Sequence, residues 1–250
     1  MKLREKPDND ALLITWLSGA GFLLRSRNAS VGIDLYLSNS CERADGSLKR
    51  LTPPGADPDE LDLDCLAVSH DHGDHLDAGS IHRLIKPDNE TFLLCPGSVT
   101  RAALGLGVDK SRIRELNRGQ SFTFGDTAIR AVFCDHGPSA PDAVGFFISM
   151  AGRVVFFLGD SRFRTDFLDH ISPYWPIDAF LVPINGRFGN PDARDAAYFT
   201  QMLKPKMAIP CHFWLTKEHG GDPGEFARLC GEIAPEAEAR SLAIGETIIV

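Results

Sequence analysis

Short apolar runs separated by polar, glycine-containing turns dominate the chain, a pattern typical of β-strands. Two such runs flank Ser18-Gly19-Ala20-Gly21, which predicts a hairpin formed by Ala11–Trp16 and Gly21–Arg25. Further hairpins are predicted to turn at Gly125-Asp126 and at Ala151-Gly152. The predicted strands are Val31–Leu35, Leu63–Val68, Thr91–Cys95, Gln120–Phe124, Ala128–Cys134, Val144–Met150, Arg153–Leu158, Phe180–Ile184 and Met207–Pro210.

Other segments have helical spacing or read as loops. The helices are predicted at Asp77–Lys86, Gly97–Leu104, Ala193–Leu203 and Pro223–Ile233. The polar segment Ser38–Pro58 is predicted to be a long loop of the kind that serves as a functional lid, and Ala239–Val250 a closing hairpin around Gly245. Strands with hairpins followed by helices occur twice along the chain. Residues 1–250 are therefore expected to form one α/β domain, a four-layer αββα sandwich whose strands are buried on both faces.

The predicted strand Leu63–Val68 ends in a cluster of metal-type ligands: His70, His72, Asp74 and His75. Side chains alternate along an extended backbone, so His70 and His72 point the same way. Gly73 permits a sharp turn between these two histidines and the last two ligands. The chain has 8 histidines in 250 residues, and three of them fall within this loop. A metal-binding loop is favoured over a surface loop that is merely rich in histidine.

Three more strand ends carry the same residue types, namely His136, Asp160 and His212. Side chains at the ends of strands in such sheets converge on one edge, where ligand clefts usually lie. Each of these assignments as a metal ligand has an alternative. Asp135 could coordinate the metal instead of His136, Asp160 could cap a helix, and His212 could be a histidine of the core. Cys211 is expected to point into the core and is rejected as a ligand. The remaining histidines are predicted to be surface residues: His82, His170 and His219.

His70-Asp71-His72-Gly73-Asp74-His75 resembles the H-x-H-x-D-H signature of the metallo-β-lactamase superfamily. Four further segments resemble its L-ascorbate-6-phosphate lactonase-like branch: Thr15–Phe22, Gly32-Ile33-Asp34, Gly159-Asp160-Ser161 and Ile209–His212. The resemblance implies the same αββα sandwich. It also implies two metal sites, the first formed by His70, His72 and His136 and the second by Asp74, His75 and His212. Asp160 is expected to bridge them.

Such a centre implies two divalent metal ions, with zinc expected first and manganese or iron as alternatives. A metal-bridging hydroxide would attack a small ester, lactone or phosphate-containing substrate, and Asp74 would orient it and pass a proton to the leaving group. Asn185 and Arg187 follow a strand and are candidate contacts for an anionic small molecule. The alternatives are a phosphodiesterase acting on nucleotide- or phospholipid-like substrates and a non-hydrolytic metal-binding or regulatory protein.

Charge and cysteine usage limit the partners and the compartment. The formal net charge is −8, which disfavours general attraction to nucleic acid or anionic membranes. Scattered cysteines in apolar runs suit free thiols, and the N-terminal residues lack the apolar region of a signal peptide. A cytoplasmic protein with a small-molecule substrate is expected, without nucleic acid or membrane partners. A homo-oligomer is left open.

Overall fold

The computed structural model describes residues 3–171 and 176–250, which form two mixed sheets. The first sheet consists of β1 (Leu13–Trp16), β2 (Phe22–Arg25), β3 (Ser30–Ile33), β4 (Cys65–Ala67), β5 (Phe92–Cys95), β6 (Ile113–Glu115) and β14 (Thr247–Ile249). Its spatial order is β14-β1-β2-β3-β4-β5-β6. The first three pairings are antiparallel and the last three are parallel.

The second sheet repeats this pairing pattern. It consists of β7 (Ser121–Phe124), β8 (Thr127–Phe133), β9 (Val144–Met150), β10 (Arg153–Phe157), β11 (Ala179–Pro183), β12 (Met207–Cys211) and β13 (Glu238–Ala239). Starting from β7, three antiparallel pairings are again followed by three parallel ones. The predicted twofold recurrence of strands and helices thus corresponds to two sheets of the same design.

Helices cover the outer faces of both sheets. They are α1 (Ile81–Leu84), α2 (Gly97–Gly105), α3 (Phe167–His170), α4 (Ala193–Leu203) and α5 (Pro223–Ile233), with short 3-10 helices at Pro58–Glu60, Lys110–Arg112 and Gly137–Ser139. The side chain of Asp192 accepts hydrogen bonds from the first backbone N–H groups of α4, and Asp222 does the same for α5. These caps satisfy donors that have no partner within the helix.

The alternation of side chains along β4 shows why its sequence is apolar throughout. Cys65 and Ala67 lie in the core between the two sheets, whereas Leu66 lies in the outer core beneath α1 and α2. The strand is buried on both faces, so it shows no alternation of polar and apolar residues. The predicted αββα sandwich is confirmed.

Three local predictions differ from the structure. The prediction of a closing hairpin at Ala239–Val250 is wrong, because β13 pairs with β12 whereas β14 pairs with β1 of the other sheet. The helix predicted at Asp77–Lys86 is shorter than expected and spans only Ile81–Leu84. The Asp77 carboxylate accepts hydrogen bonds from the Leu37 N–H and the Ser38 hydroxyl, so Asp77 is held in a loop. The short strand β6 and the short helix α3 were missed.

The strands that precede the predicted ligands share one direction within each sheet. β3 and β4 are parallel neighbours, and β10, β11 and β12 are parallel to one another. β8 also runs with β10, because both are antiparallel to β9. The C-terminal ends of these strands deliver their loops to one edge of the sandwich. Throughout the two described ranges, no helix has the length and apolar character needed to cross a bilayer.

Candidate metal centre

Three imidazoles converge at the loop after β4. The Nδ1 atom of His72 lies 3.0 Å from His70 Nε2 and 3.2 Å from His136 Nε2. Tetrahedral nitrogen ligands about 2.0–2.1 Å from a zinc ion lie roughly 3.3 Å apart. The three nitrogen atoms are therefore spaced as a tetrahedral metal site requires.

A second set of ligand atoms lies beside the first. Asp160 Oδ2 is 3.5 Å from His75 Nε2, and Asp160 Oδ1 is 3.3 Å from His212 Nδ1. Asp160 Oδ2 also lies 3.8 Å from His136 Nε2, which belongs to the first set. Asp74 Oδ2 is 3.1 Å from His212 Nε2. The structure thus brings together all seven residues predicted as ligands, with Asp160 between the two sets.

One buried carboxylate orients histidines of both sets. Asp34 Oδ2 accepts a hydrogen bond from the Ser69 hydroxyl at 2.5 Å and lies 2.6 Å from His75 Nδ1. Ser69 Oγ is in turn 3.0 Å from His70 Nδ1. Because the hydroxyl donates its proton to Asp34, it accepts one from His70, which leaves His70 Nε2 free for a metal. His75 Nδ1 likewise donates to Asp34, which leaves His75 Nε2 free for a metal. Such outer partners fix the tautomer and ring orientation of metal-binding histidines.

The backbone near the ligands adopts conformations that most residues avoid. Asp34 and His212 have φ of +44° and +59°, in the left-handed region that costs free energy for residues other than glycine. Gly159, just before Asp160, has φ of +70°, and a Cβ atom there would lie 2.9 Å from the Val144 carbonyl oxygen. The strand ends are therefore bent to aim the ligands at one point.

Electrostatics in the cluster favour the metal-binding forms of Asp160, His70 and His136. Although burial opposes ionisation of Asp160, the neighbouring His212 and His75 hold its pKa well below its usual value. Burial lowers the pKa of His70 and of His136, so both imidazoles are neutral at pH 7. Burial also disfavours the His75 imidazolium, yet Asp160 and Asp34 raise the pKa of His75. A metal ion would replace the proton of His75.

Several buried polar atoms of the cluster have no hydrogen-bond partner within the described residues. They are His75 Nε2, His136 Nδ1 and Asp160 Oδ1. Buried polar groups are nearly always paired, so unpaired ones at a site need an explanation. Divalent metal ions account for His75 Nε2 and Asp160 Oδ1, because both atoms are aimed into the ligand set. The residues present therefore fit metal binding by nitrogen and oxygen donors.

Two members of the site were not found in the sequence. Asn190 donates a hydrogen bond to Asp160 Oδ2 at 2.7 Å and also contacts His212 Nδ1 at 3.2 Å. His219 was predicted at the surface and this was wrong, since it is only 8% exposed. Its Nε2 lies 3.8 Å from Asp74 Oδ2 and its Nδ1 lies 2.9 Å from Thr216 Oγ1. Burial lowers the pKa of His219 to about 4.

A cavity of about 260 Å³ opens onto the ligands. We call its ligand side the metal floor, formed by His72, Asp74, His136, Asp160 and His212. We call the mainly apolar part of its lining the apolar wall, formed by Tyr36, Cys41, Leu48, Phe188 and Leu215. Cys41 and Leu48 come from the predicted long loop, which is joined to the segment after β12 by a bridge between Arg50 and Thr216.

The predicted substrate contacts are placed less favourably. Arg187 is exposed and does not line the cavity. Asn185 is 1% exposed, does not line the cavity either, and its side-chain amide has no partner among the residues described. Their role in substrate binding stays a prediction, with no contact in this structure to support it.

The other residues weighed in the sequence fall as follows. Asp135 pairs with Arg164 at 3.2 Å, which leaves His136 as the ligand candidate on that loop. Cys211 is fully buried in the core between the sheets. His82 and His170 are exposed, as predicted. A larger cavity of about 400 Å³ lies beside the ends of α4 and α5, and no histidine lines it.

An αββα sandwich with clustered histidine and aspartate ligands at its sheet edge defines a class of metal-binding α/β proteins. The model of the beta-lactamase superfamily domain matches residues 13–212, and the chain belongs to that superfamily. Its resemblance to the superfamily is thus confirmed, whereas the lactonase-like branch stays a prediction.

This chain is similar to related proteins and to solved structures over most of their length. A UPF0173 protein of Pyrococcus furiosus is 29% identical over 216 residues, which cover 86% of this chain and 89% of the relative. The UPF0173 metal-dependent hydrolase of Carboxydothermus hydrogenoformans is 27% identical, covering 85% and 89%. Igni18, a metallo hydrolase of the archaeon Ignicoccus hospitalis, superposes with a TM-score of 0.73 at 20% identity, covering 96% of this chain and 98% of its own. The prediction of a metallo-hydrolase agrees with the names that these relatives carry.

Proposed function

We propose that this chain is a metal-dependent hydrolase that binds two divalent metal ions at the metal floor. The observation that carries the proposal is the convergence of two ligand sets on Asp160, whose Oδ2 lies 3.5 Å from His75 Nε2 and 3.8 Å from His136 Nε2. The name metal-dependent hydrolase, carried by a relative 27% identical, supports the same reading. Zinc suits these nitrogen and oxygen donors, with manganese and iron as alternatives.

His70, His72 and His136 would hold one metal ion, and His75, Asp74 and His212 would hold the other, with Asp160 available to both. Bound metal ions would polarise the substrate oxygen and lower the pKa of water to about 7, so that a nucleophile forms at neutral pH. The protein keeps the ligands in place through the hydrogen bonds from Ser69 and His75 to Asp34.

Proton transfer falls to Asp74 and His219 at the side of the cavity. Asp74 Oδ2 is the nearest carboxylate oxygen to His219 Nε2, at 3.8 Å. Asp74 takes the proton released as water attacks, and His219 carries it towards the leaving group. A neutral imidazole suits this role because it can accept and donate a proton.

The substrate class is a small ester, lactone or phosphate-containing molecule, in line with the resemblance to the lactonase-like branch. Water adds to the acyl or phosphoryl centre, the bond to the leaving oxygen breaks, and that oxygen receives the proton. Alternatively, the same centre hydrolyses phosphodiesters, since two neighbouring metal ions also serve that reaction.

Metal removal and restoration test this proposal. The purified chain should hydrolyse at least one member of a panel of p-nitrophenyl esters, lactones and bis(p-nitrophenyl) phosphate. A chelator should abolish the activity and added metal should restore it. His72→Ala should be inactive, whereas the matched control His82→Ala should keep wild-type rates because His82 is exposed.

The panel also separates the alternatives. Hydrolysis of the phosphodiester but of no ester or lactone would identify a phosphodiesterase. A protein that retains two metal ions and hydrolyses nothing in the panel would be a non-hydrolytic metal-binding protein, and the proposal would fail.

A further inference from the structure

The apolar wall lines the same cavity as the metal floor and carries no formal charge. Leu48 is half-buried, Leu215 is buried and Phe188 is 61% exposed. Among the lining residues in the described ranges, none is lysine or arginine. A substrate held at the metal floor therefore directs the rest of its structure onto hydrocarbon.

The polar groups on this wall are already hydrogen-bonded or neutral. The Tyr36 hydroxyl accepts a hydrogen bond from the Cys41 N–H at 3.2 Å. Burial raises the pKa of the Cys41 thiol and of the Tyr36 phenol, so neither group is an anion at pH 7. Thr216, which also lines the cavity, is engaged with His219 at 2.9 Å.

A buried cation beside Tyr36 is engaged by the protein's own groups. Arg50 donates hydrogen bonds to the backbone carbonyls of Tyr36 and Thr52 at 2.7 and 3.1 Å, and its guanidinium lies 4.8 Å from the centre of the Tyr36 ring. Lys217 extends into solvent and pairs with Glu218 at 3.8 Å. Arg162 is exposed near Gly137 and Gly189, outside the lining residues.

We infer that the substrate is a small molecule whose non-reacting part is uncharged and apolar, such as a short-chain ester or lactone. The inference rests on the proposed hydrolase function and narrows its substrate class. An ionised carboxylate or phosphate on the non-reacting part would lose water against Leu48, Phe188 and Leu215 with no cation to replace it, which is costly. The cavity volume of about 260 Å³ lies below the roughly 300–1,000 Å³ of sites for drug-sized ligands.

A matched pair of esters tests the inference on the metal-loaded protein. p-Nitrophenyl butyrate and mono-p-nitrophenyl succinate share a leaving group, but the acyl chain of the second ends in a carboxylate. The expected kcat/KM is at least about tenfold higher for the butyrate, because the carboxylate must be buried unpaired.

A charge placed in the wall should weaken the preference. Leu48→Lys should raise kcat/KM for the succinate ester relative to the butyrate by about tenfold. Leu104→Lys is the matched control, because Leu104 is exposed on α2 and lies outside the cavity, and it should leave the ratio unchanged.

Two results would overturn the inference. Equal or better turnover of the succinate ester by the wild-type chain would show that a charged non-reacting part is accepted. Loss of that turnover in Arg162→Ala or Arg187→Ala would then identify the cation that binds it. In these cases the proposed hydrolase function still holds, whereas failure to hydrolyse any member of the panel would reject the function and the inference with it.

Discussion

The metal floor and the apolar wall of the same cavity are built in different ways. Floor residues follow buried strands of both sheets, and two of them have a further partner: Asn190 contacts Asp160 at 2.7 Å and His212 at 3.2 Å. Wall residues Leu48 and Phe188 come from loops, and Phe188 is largely exposed. The floor is therefore fixed by the fold, whereas Leu48 and Phe188 of the wall can be replaced without disturbing the floor.

This difference assigns the two sides separate tasks. A site that binds metal ions needs ligand atoms held at defined distances, and residues on rigid strand ends meet that need. Substrate preference depends on the apolar wall, where loop residues can be replaced at small cost to the fold. Mutations of the floor should therefore remove activity, and mutations of the wall should redirect it.

Asp160→Ala should have the largest effect, because Asp160 contacts both ligand sets. We expect loss of detectable turnover together with loss of metal, measured by elemental analysis and by hydrolysis of the preferred panel substrate. His170→Ala serves as the control, since His170 is exposed on α3. An active Asp160→Ala variant with full metal content would refute the assignment of Asp160 to the centre.

His219→Gln should reduce kcat by about 100-fold, the scale typical of a lost proton-transfer group. Glutamine keeps a polar group near the position of Nε2 but cannot accept and release a proton in this pH range. Metal content and KM should stay close to wild type. A fall in metal content instead would make His219 a ligand, a role its distance of 3.8 Å from Asp74 also allows.

Asp34→Asn tests the support beneath the floor. Asp34 Oδ1 accepts from the Ser69 N–H, and Oδ2 accepts from the Ser69 hydroxyl and from His75. An amide has only one acceptor oxygen, so its NH2 group must face at least one of these donors, and the histidines lose part of their orientation. Replacing such an outer partner typically costs about 10–100-fold in metal affinity or activity. Titration of the metal-free protein with zinc against a competing chelator measures the affinity. An unchanged affinity would confine Asp34 to a role in folding.

Phe188→Ala should have the smallest effect and should act on the wall alone. Phe188 contacts the His219 ring with 5.6 Å between ring centres but is largely exposed. We expect KM for a neutral ester to rise by less than about tenfold, the scale of removing a partly buried aromatic contact. Metal content should not change. A variant that loses metal would show that wall and floor are coupled.

The histidine loop and the ends of the strands could be predicted from the sequence because their signals are local. An apolar run followed directly by His70 and His72, or by Asp160, is visible without knowledge of the fold. The αββα layers followed from the strand and helix pattern for the same reason. The last two strands were harder to predict, since β13 and β14 are short and join different sheets.

The missed residues depend on contacts between distant segments. His219 lies in a polar, glycine-containing stretch that reads as surface, and it is buried only because the fold carries that stretch to the floor beside Asp74. Asn190 has no neighbouring pattern that marks it, although it contacts Asp160. The apolar wall draws single residues from several loops, so its character emerges only in the folded chain.

Metal stoichiometry measured alongside activity tests the central claim most directly. The wild-type chain, loaded with zinc and freed of excess metal, should hold two metal ions per chain, and hydrolysis should rise with their content. His72→Ala should hold fewer ions and be inactive, while His82→Ala should match the wild type in both. A folded wild-type chain that binds no metal, or that hydrolyses its substrate equally well after complete metal removal, would contradict the account.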